Sequence, residues 1–210
     1  MNKYEEYEKG VIKKAVESFS GHKATYKELD GVDTLEFRRP GEIFYSLRVV
    51  FDHERGRSVY ICGDIGEAVV YPTCPATLKD MAACFTRRKA DGTISVNWGY
   101  FLEKVKCSSD RYEWSEEDFV ADFKEECEER GIPNAEEFLE EHMNSWDGGI
   151  EVDSRKGVTF SERAKRELED YDHDFWEWAY DCGKRVSGRV ILWLVALRLA
   201  SEAIEKEKAQ

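Results

Sequence analysis

The sequence predicts an α+β fold: a small antiparallel β-meander of three to four strands, flanked by an N-terminal helix and followed by an acidic, mostly helical C-terminal half. Three observations carry that expectation. The N-terminal segment repeats its apolar residues at helical steps. Residues 43–71 alternate with the period of a strand. After residue 98 the apolar positions again return at three- and four-residue steps.

The elements follow in order. Tyr4, Tyr7, Val11, Ala15 and Phe19 define the first helix, with a stop at Ser20-Gly21. Thr34 to Phe37 reads as an edge strand before Pro40-Gly41. Ile43, Tyr45, Leu47, Val49 and Phe51 alternate with Phe44, Ser46, Arg48 and Val50 and predict a half-buried strand over 43–51. A polar turn at 52–57 leads to a strand over 58–62, and Gly63-Asp64-Ile65-Gly66 turns the chain into a strand over 67–71. Such short connections favour antiparallel neighbours.

Helices are expected over 78–85 and, from the stripe Trp98, Phe101, Leu102, Val105, beyond residue 98. Ser115 with Asp118 reads as a helix start, with Phe119, Val120, Phe123 and Cys127 facing inward. Asn134 with Glu137 opens the next helix, burying Phe138, Leu139, Met143 and Trp146. Thr159 with Glu162 opens a third, whose stripe runs through Phe160, Ala164, Leu168, Tyr171, Phe175, Trp178 and Cys182 like a heptad. The division expected is 1–111 and 112–210, with one continuous domain equally allowed and a break at Gly148-Gly149.

Composition narrows the function classes. A chain of 210 residues, 41% hydrophobic, can bury a core without disulfides or metal staples. The six cysteines form no C-x-x-C pair and read as reduced, mostly core residues. The N-terminus is charged and unlike a signal peptide, so a cytoplasmic location is expected. The run from Val190 to Leu197 (VILWLVAL) is too short to cross a bilayer, which takes about 20 residues. It reads as a buried core helix or as a homodimer contact.

Net charge is −13 and unevenly placed: residues 113–181 hold 24 Asp and Glu against 7 Lys and Arg. Such a segment repels nucleic acid and attracts a basic protein. Glu125, Glu126, Glu128, Glu129, Glu136, Glu137, Glu140 and Glu141 sit at helical spacings of one face, with neighbouring carboxylates about 5–6 Å apart. Trp176 and Trp178 cannot share a helix face, so one of them is expected at the surface; Trp176 is the candidate contact for a partner. Solvated helix faces are the plain alternative.

Catalytic signals are sparse. Asp170, His173 and Asp174 would share a helix face and are the candidate metal ligands, although no second ligand group accompanies them. Glu137, Glu141 and His142 resemble a fragment of a metal-binding helix without the HExxH spacing. Cys74 is the one candidate nucleophile. No cofactor is expected. The turn 63–66 is not a phosphate loop, since no GK[ST] follows.

The block SVYICGDIGEAVVYP, followed by WGYFLEKVKCSS, resembles a family of proteins carried by phages, prophages and plasmids. Gly63, Asp64, Gly66, Ala68, Val69, Tyr71, Tyr100, Phe101, Leu102 and Lys104 carry the likeness, which covers about residues 43–130, with the family's cysteine displaced to Cys107. The family offers no active site to transfer. Its members travel beside anti-defence genes, so the resemblance implies an antagonist of host defence such as an anti-CRISPR protein. Three readings follow: an inhibitor of a basic nucleic-acid-handling effector, with nucleic-acid mimicry as one form of it; a metal-dependent enzyme using Asp170, His173 and Asp174; and a homo-oligomeric scaffold joined through Val190–Leu197.

Overall fold

The structure is a computed structural model and describes residues 3–54, 57–143 and 149–209. In chain order the elements are α1 (Lys3–Ser18), β1 (Lys23–Glu28), β2 (Val32–Arg38), β3 (Leu47–Asp52), β4 (Ser58–Gly63), β5 (Ala68–Val70), α2 (Leu78–Phe85), β6 (Thr86–Arg88), β7 (Ile94–Val96), α3 (Trp98–Lys104) and β8 (Val105–Ser108). These are followed by β9 (Tyr112–Trp114), α4 (Glu116–Arg130), α5 (Ala135–Met143), β10 (Ile150–Asp153), β11 (Gly157–Phe160), α6 (Glu162–Tyr171), two 3-10 turns at Phe175–Glu177 and Ala179–Asp181, β12 (Lys184–Val186) and α7 (Gly188–Lys208). They form two compact units. Unit 1 comprises residues up to 111 together with those from 187 onward, and unit 2 comprises 112–186.

Unit 1 is built on an antiparallel sheet ordered β1-β2-β3-β4-β5-β8. Register places Leu35 opposite Val49 and Val49 opposite Ile61, so one face of the sheet is a continuous apolar layer. Leu35, Val49, Phe51 and Val59 are all buried there. Helix α7 completes the core. Its residues Val190, Ile191, Trp193, Leu194, Val195, Ala196 and Leu197 are 0% exposed, and it contacts α1, α2 and β1. The Trp193 indole donates to the Ile65 carbonyl at 2.9 Å, satisfying the one polar atom of that buried ring. Arg198 anchors the same helix, donating to the Thr86 carbonyl at 2.8 Å.

Unit 2 has its own core. Phe119, Phe123 and Cys127 of α4 meet Phe138 and Leu139 of α5, Phe160 of β11, and Ala164 and Leu168 of α6. The Phe123 and Phe138 rings stack with centroids 5.6 Å apart. Two short antiparallel pairs, the hairpin β10–β11 and the long-range pair β9–β12, complete it.

Several expectations are corrected. The sheet has six strands, not three to four: Lys23–Glu28 adds an edge strand, and Val105–Ser108 joins the other side. Residues 43–46 are not strand. Tyr45 has φ of +56°, and Ile43 and Phe44 are exposed, so the ladder begins at Leu47. The C-terminal helix belongs with the sheet of unit 1 rather than with the acidic region, because its apolar positions need a large core to cover them. The same packing buries every residue of Val190–Leu197 except the half-buried Leu192, so most of this run faces the core of unit 1. Helix α6 is capped by Ser161, whose side chain accepts the Ala164 amide, and not by Thr159. The heptad-like stripe is interrupted: α6 ends at Tyr171, which is exposed, and 3-10 turns follow. Trp146 and Gly148 lie outside the described residues. Among the described residues, no helix is long and apolar enough to cross a membrane.

Candidate functional site

The acidic segment folds mainly into three helices. On α4 the positions facing inward are Phe119, Phe123 and Cys127, and the opposite side therefore carries Glu125, Glu128 and Glu129. These three are exposed and form no ion pair among the described residues. Glu137 on α5 is likewise exposed and unpaired within that set. The other predicted carboxylates differ. Glu126 pairs with Arg130 at 3.1 Å, Glu136 with Lys124 at 2.8 Å, and Glu141 with Arg163. Lys124 holds the Glu136 carboxyl below its usual range. Glu140 is exposed on α5. Among the described residues, Glu125, Glu128, Glu129 and Glu137 thus form an outward group without ion pairs, and Glu126, Glu136 and Glu141 are tied to neighbouring cations. Trp176 is 57% exposed while Trp178 is buried.

Asp170, His173 and Asp174 do not assemble. Their shared face required a continuous helix, but α6 stops at Tyr171 and leaves Asp170 on the helix with the other two in the turn. Asp172 ends the helix. Its carboxylate accepts the Asp174 amide at 2.9 Å and the Trp178 indole at 3.0 Å, with Arg130 at 3.5 Å. Those amide and indole donors, with Arg130, hold the Asp172 carboxyl below its ordinary value.

A different group does assemble. Glu141 and His142 of α5 meet Glu167 of α6, with one potential ligand atom from each lying within 4.8 Å of the others. His142 is 2% exposed, and its Nε2 lies 3.0 Å from Glu167 Oε2. The two glutamates line an adjoining cavity of about 200 Å³. The sequence pointed to Glu141 and His142; Glu167 was hidden because its helix is 25 residues further along.

Unit 1 holds a second polar cluster that the sequence reading missed. The Tyr26 hydroxyl donates to Asp33 Oδ2 at 2.5 Å, and His53 Nε2 lies 3.3 Å from Asp33 Oδ1. Asp33 is buried at the edge of an open cavity of about 710 Å³, which is lined also by Leu78, Ile204 and Lys208. Burial, reinforced by the hydrogen bond to Asp33, pushes the Tyr26 phenol far above its ordinary value, so it acts as a neutral donor. One signal was present. In β2, Asp33 occupies the same inward parity as Leu35 and Phe37, and a carboxylate there needs partners.

The remaining candidates have structural roles. Gly63 has φ of +138°, and a Cβ there would meet the Ser46 carbonyl at 2.3 Å. Asp64 Oδ2 accepts the Tyr45 amide at 2.8 Å. The G-D-x-G turn thus ties the start of β3 to the end of β4. Burial, together with the neighbouring Cys84 thiol, raises the Cys74 thiol to about 12, the wrong direction for a nucleophile. All six cysteines are free, and Cys127 and Cys182 are buried. Comparison with protein families, with curated proteins and with solved structures found no match for this chain.

Proposed function

We propose that this chain is a non-catalytic inhibitor that binds a basic nucleic-acid-handling protein through the acidic surface of unit 2, competing there with DNA or RNA. An anti-defence role of the anti-CRISPR type fits that chemistry, because guided effectors hold phosphate backbones in positively charged channels. One observation carries the reading: Glu125, Glu128 and Glu129 point outward together from α4 with no ion pair among the described residues. A carboxylate row on a folded helix offers a basic groove a pre-ordered set of negative charges. Long-range attraction would speed encounter, and Trp176 would supply apolar contact area. The inhibitor reading is preferred to the alternatives because Asp170, His173 and Asp174 are not brought together and most of Val190–Leu197 packs into the core of unit 1.

The test is a pull-down from cells carrying candidate defence systems, followed by affinity measurement against salt. The combined variant Glu125→Lys, Glu128→Lys, Glu129→Lys is expected to bind at least about tenfold more weakly and to show a shallower salt dependence. Undiminished binding by that variant, or no association with any such effector at low salt, would remove the proposal.

A further inference from the structure

We propose that Glu141, His142 and Glu167 form a binding site for one divalent first-row transition metal, of the Zn²⁺ or Mn²⁺ kind, on unit 2. A buried nitrogen donor beside the carboxylates sets this site apart from the outward glutamates of α4.

The donor set is one imidazole and two carboxylates. Imidazole favours the later first-row metals, while carboxylate oxygens suit harder ions, so a mixed set selects a borderline divalent ion rather than Ca²⁺ or Cu⁺. Two donors about 2.1 Å from one ion lie at most about 4.2 Å apart. The three ligand atoms already fall within 4.8 Å of one another, and His142 Nε2 with Glu167 Oε2 are at 3.0 Å. Small side-chain adjustments of the two glutamates would bring all three onto one ion. Both glutamates are partly exposed, and the cavity of about 200 Å³ beside them has room for the waters that would complete the shell.

The scaffold holds the donors in place. His142 is buried, and its ring packs on Phe138 with centroids 4.4 Å apart. Gly149 fixes the end of α5 against the start of α6. Its carbonyl accepts the amide of Ser161, the α6 cap, at 2.6 Å, and a Cβ on it would meet the His142 carbonyl at 2.0 Å. The cluster also draws cations as it stands, for the Arg163 guanidinium rests on Glu141. A divalent ion would displace that guanidinium, which sits on a largely exposed side chain, and would neutralise both carboxylates at once.

Arg163 makes the test discriminating. Titrating Zn²⁺ into the full chain by calorimetry should show one saturable site. Co²⁺ should give a spectrum of nitrogen and oxygen ligation without a thiolate charge-transfer band. Glu141→Gln and Glu167→Gln, both partly exposed positions that leave the core intact, should each weaken binding at least about tenfold. Arg163→Ala should tighten it several-fold by removing the competing cation, the opposite of what a purely structural ion pair predicts. The proposal is overturned by any of four results: no saturable binding, a thiolate band placing the metal on cysteines, affinity retained in both Gln variants, or affinity unchanged or weakened in Arg163→Ala.

Discussion

At the residue scale, Asp33 shows how a single polar side chain is accommodated in a sheet core. Its strand position forces it inward, where a lone carboxylate is costly, and Tyr26 and His53 supply partners for its two oxygens. Removing it as Asp33→Ala leaves the Tyr26 hydroxyl without that acceptor, with an expected loss of about 1–3 kcal/mol in chemical denaturation. The same variant should ionise Tyr26 at a lower pH in a spectrophotometric titration. The sign follows from the raised phenol. Its contribution is fully present below the unfolded value of about 10 and disappears as pH climbs through the folded value, so wild type loses this stabilisation only under alkaline conditions. None of this was spelled out by a motif. The sequence held a charged residue among inward apolar ones, but not the identity of its partners, which come from β1 and from the turn after β3.

At the element scale, legibility followed locality. Helices α2, α3 and α4 were readable because their apolar repeats lie within one segment, although the α3 stripe overran into β8 at Val105; Ser115 accepts the Asp118 amide as its sequence suggested. Strand β1 was invisible because Lys23–Glu28 exposes most of its side chains, so pairing with β2 and not burial defines it. Residues 43–46 misled in the opposite sense, since their alternation is genuine but no neighbouring strand pairs with it. The stripe through Phe175 and Trp178 was read correctly as buried except at the exposed Tyr171, but it is not one helix. Asp172 captures the Asp174 amide and the Trp178 indole, and these local bonds compete successfully with helix continuation. The β4–β5 turn offers a test at this scale. Gly63→Ala adds a methyl where the Ser46 carbonyl sits and demands a φ that alanine resists, so it should lower stability by more than about 1 kcal/mol on thermal or urea unfolding.

At the scale of the whole molecule, charge and core are divided between two units. Unit 2 carries 24 acidic and 9 basic residues, and unit 1 carries 20 and 22. The sequence exposed the charge division but misplaced α7, because an apolar helix does not announce which core it completes. Hydrogen exchange should show the separation. Trp193→Ala should lose protection in the sheet strands and α7, while Phe123→Ala should lose it in α4, α5 and α6. The Ser187 amide donates to the Arg111 carbonyl at 3.0 Å, and next to it Tyr112 is paired with Val186. The two ends of residues 112–186 therefore lie side by side, paired as neighbouring strands. A segment with adjoining ends can be lengthened, exchanged or deleted by recombination without re-routing the remainder. Any replacement for 112–186 needs only to bring its own two ends together as Tyr112 and Val186 do.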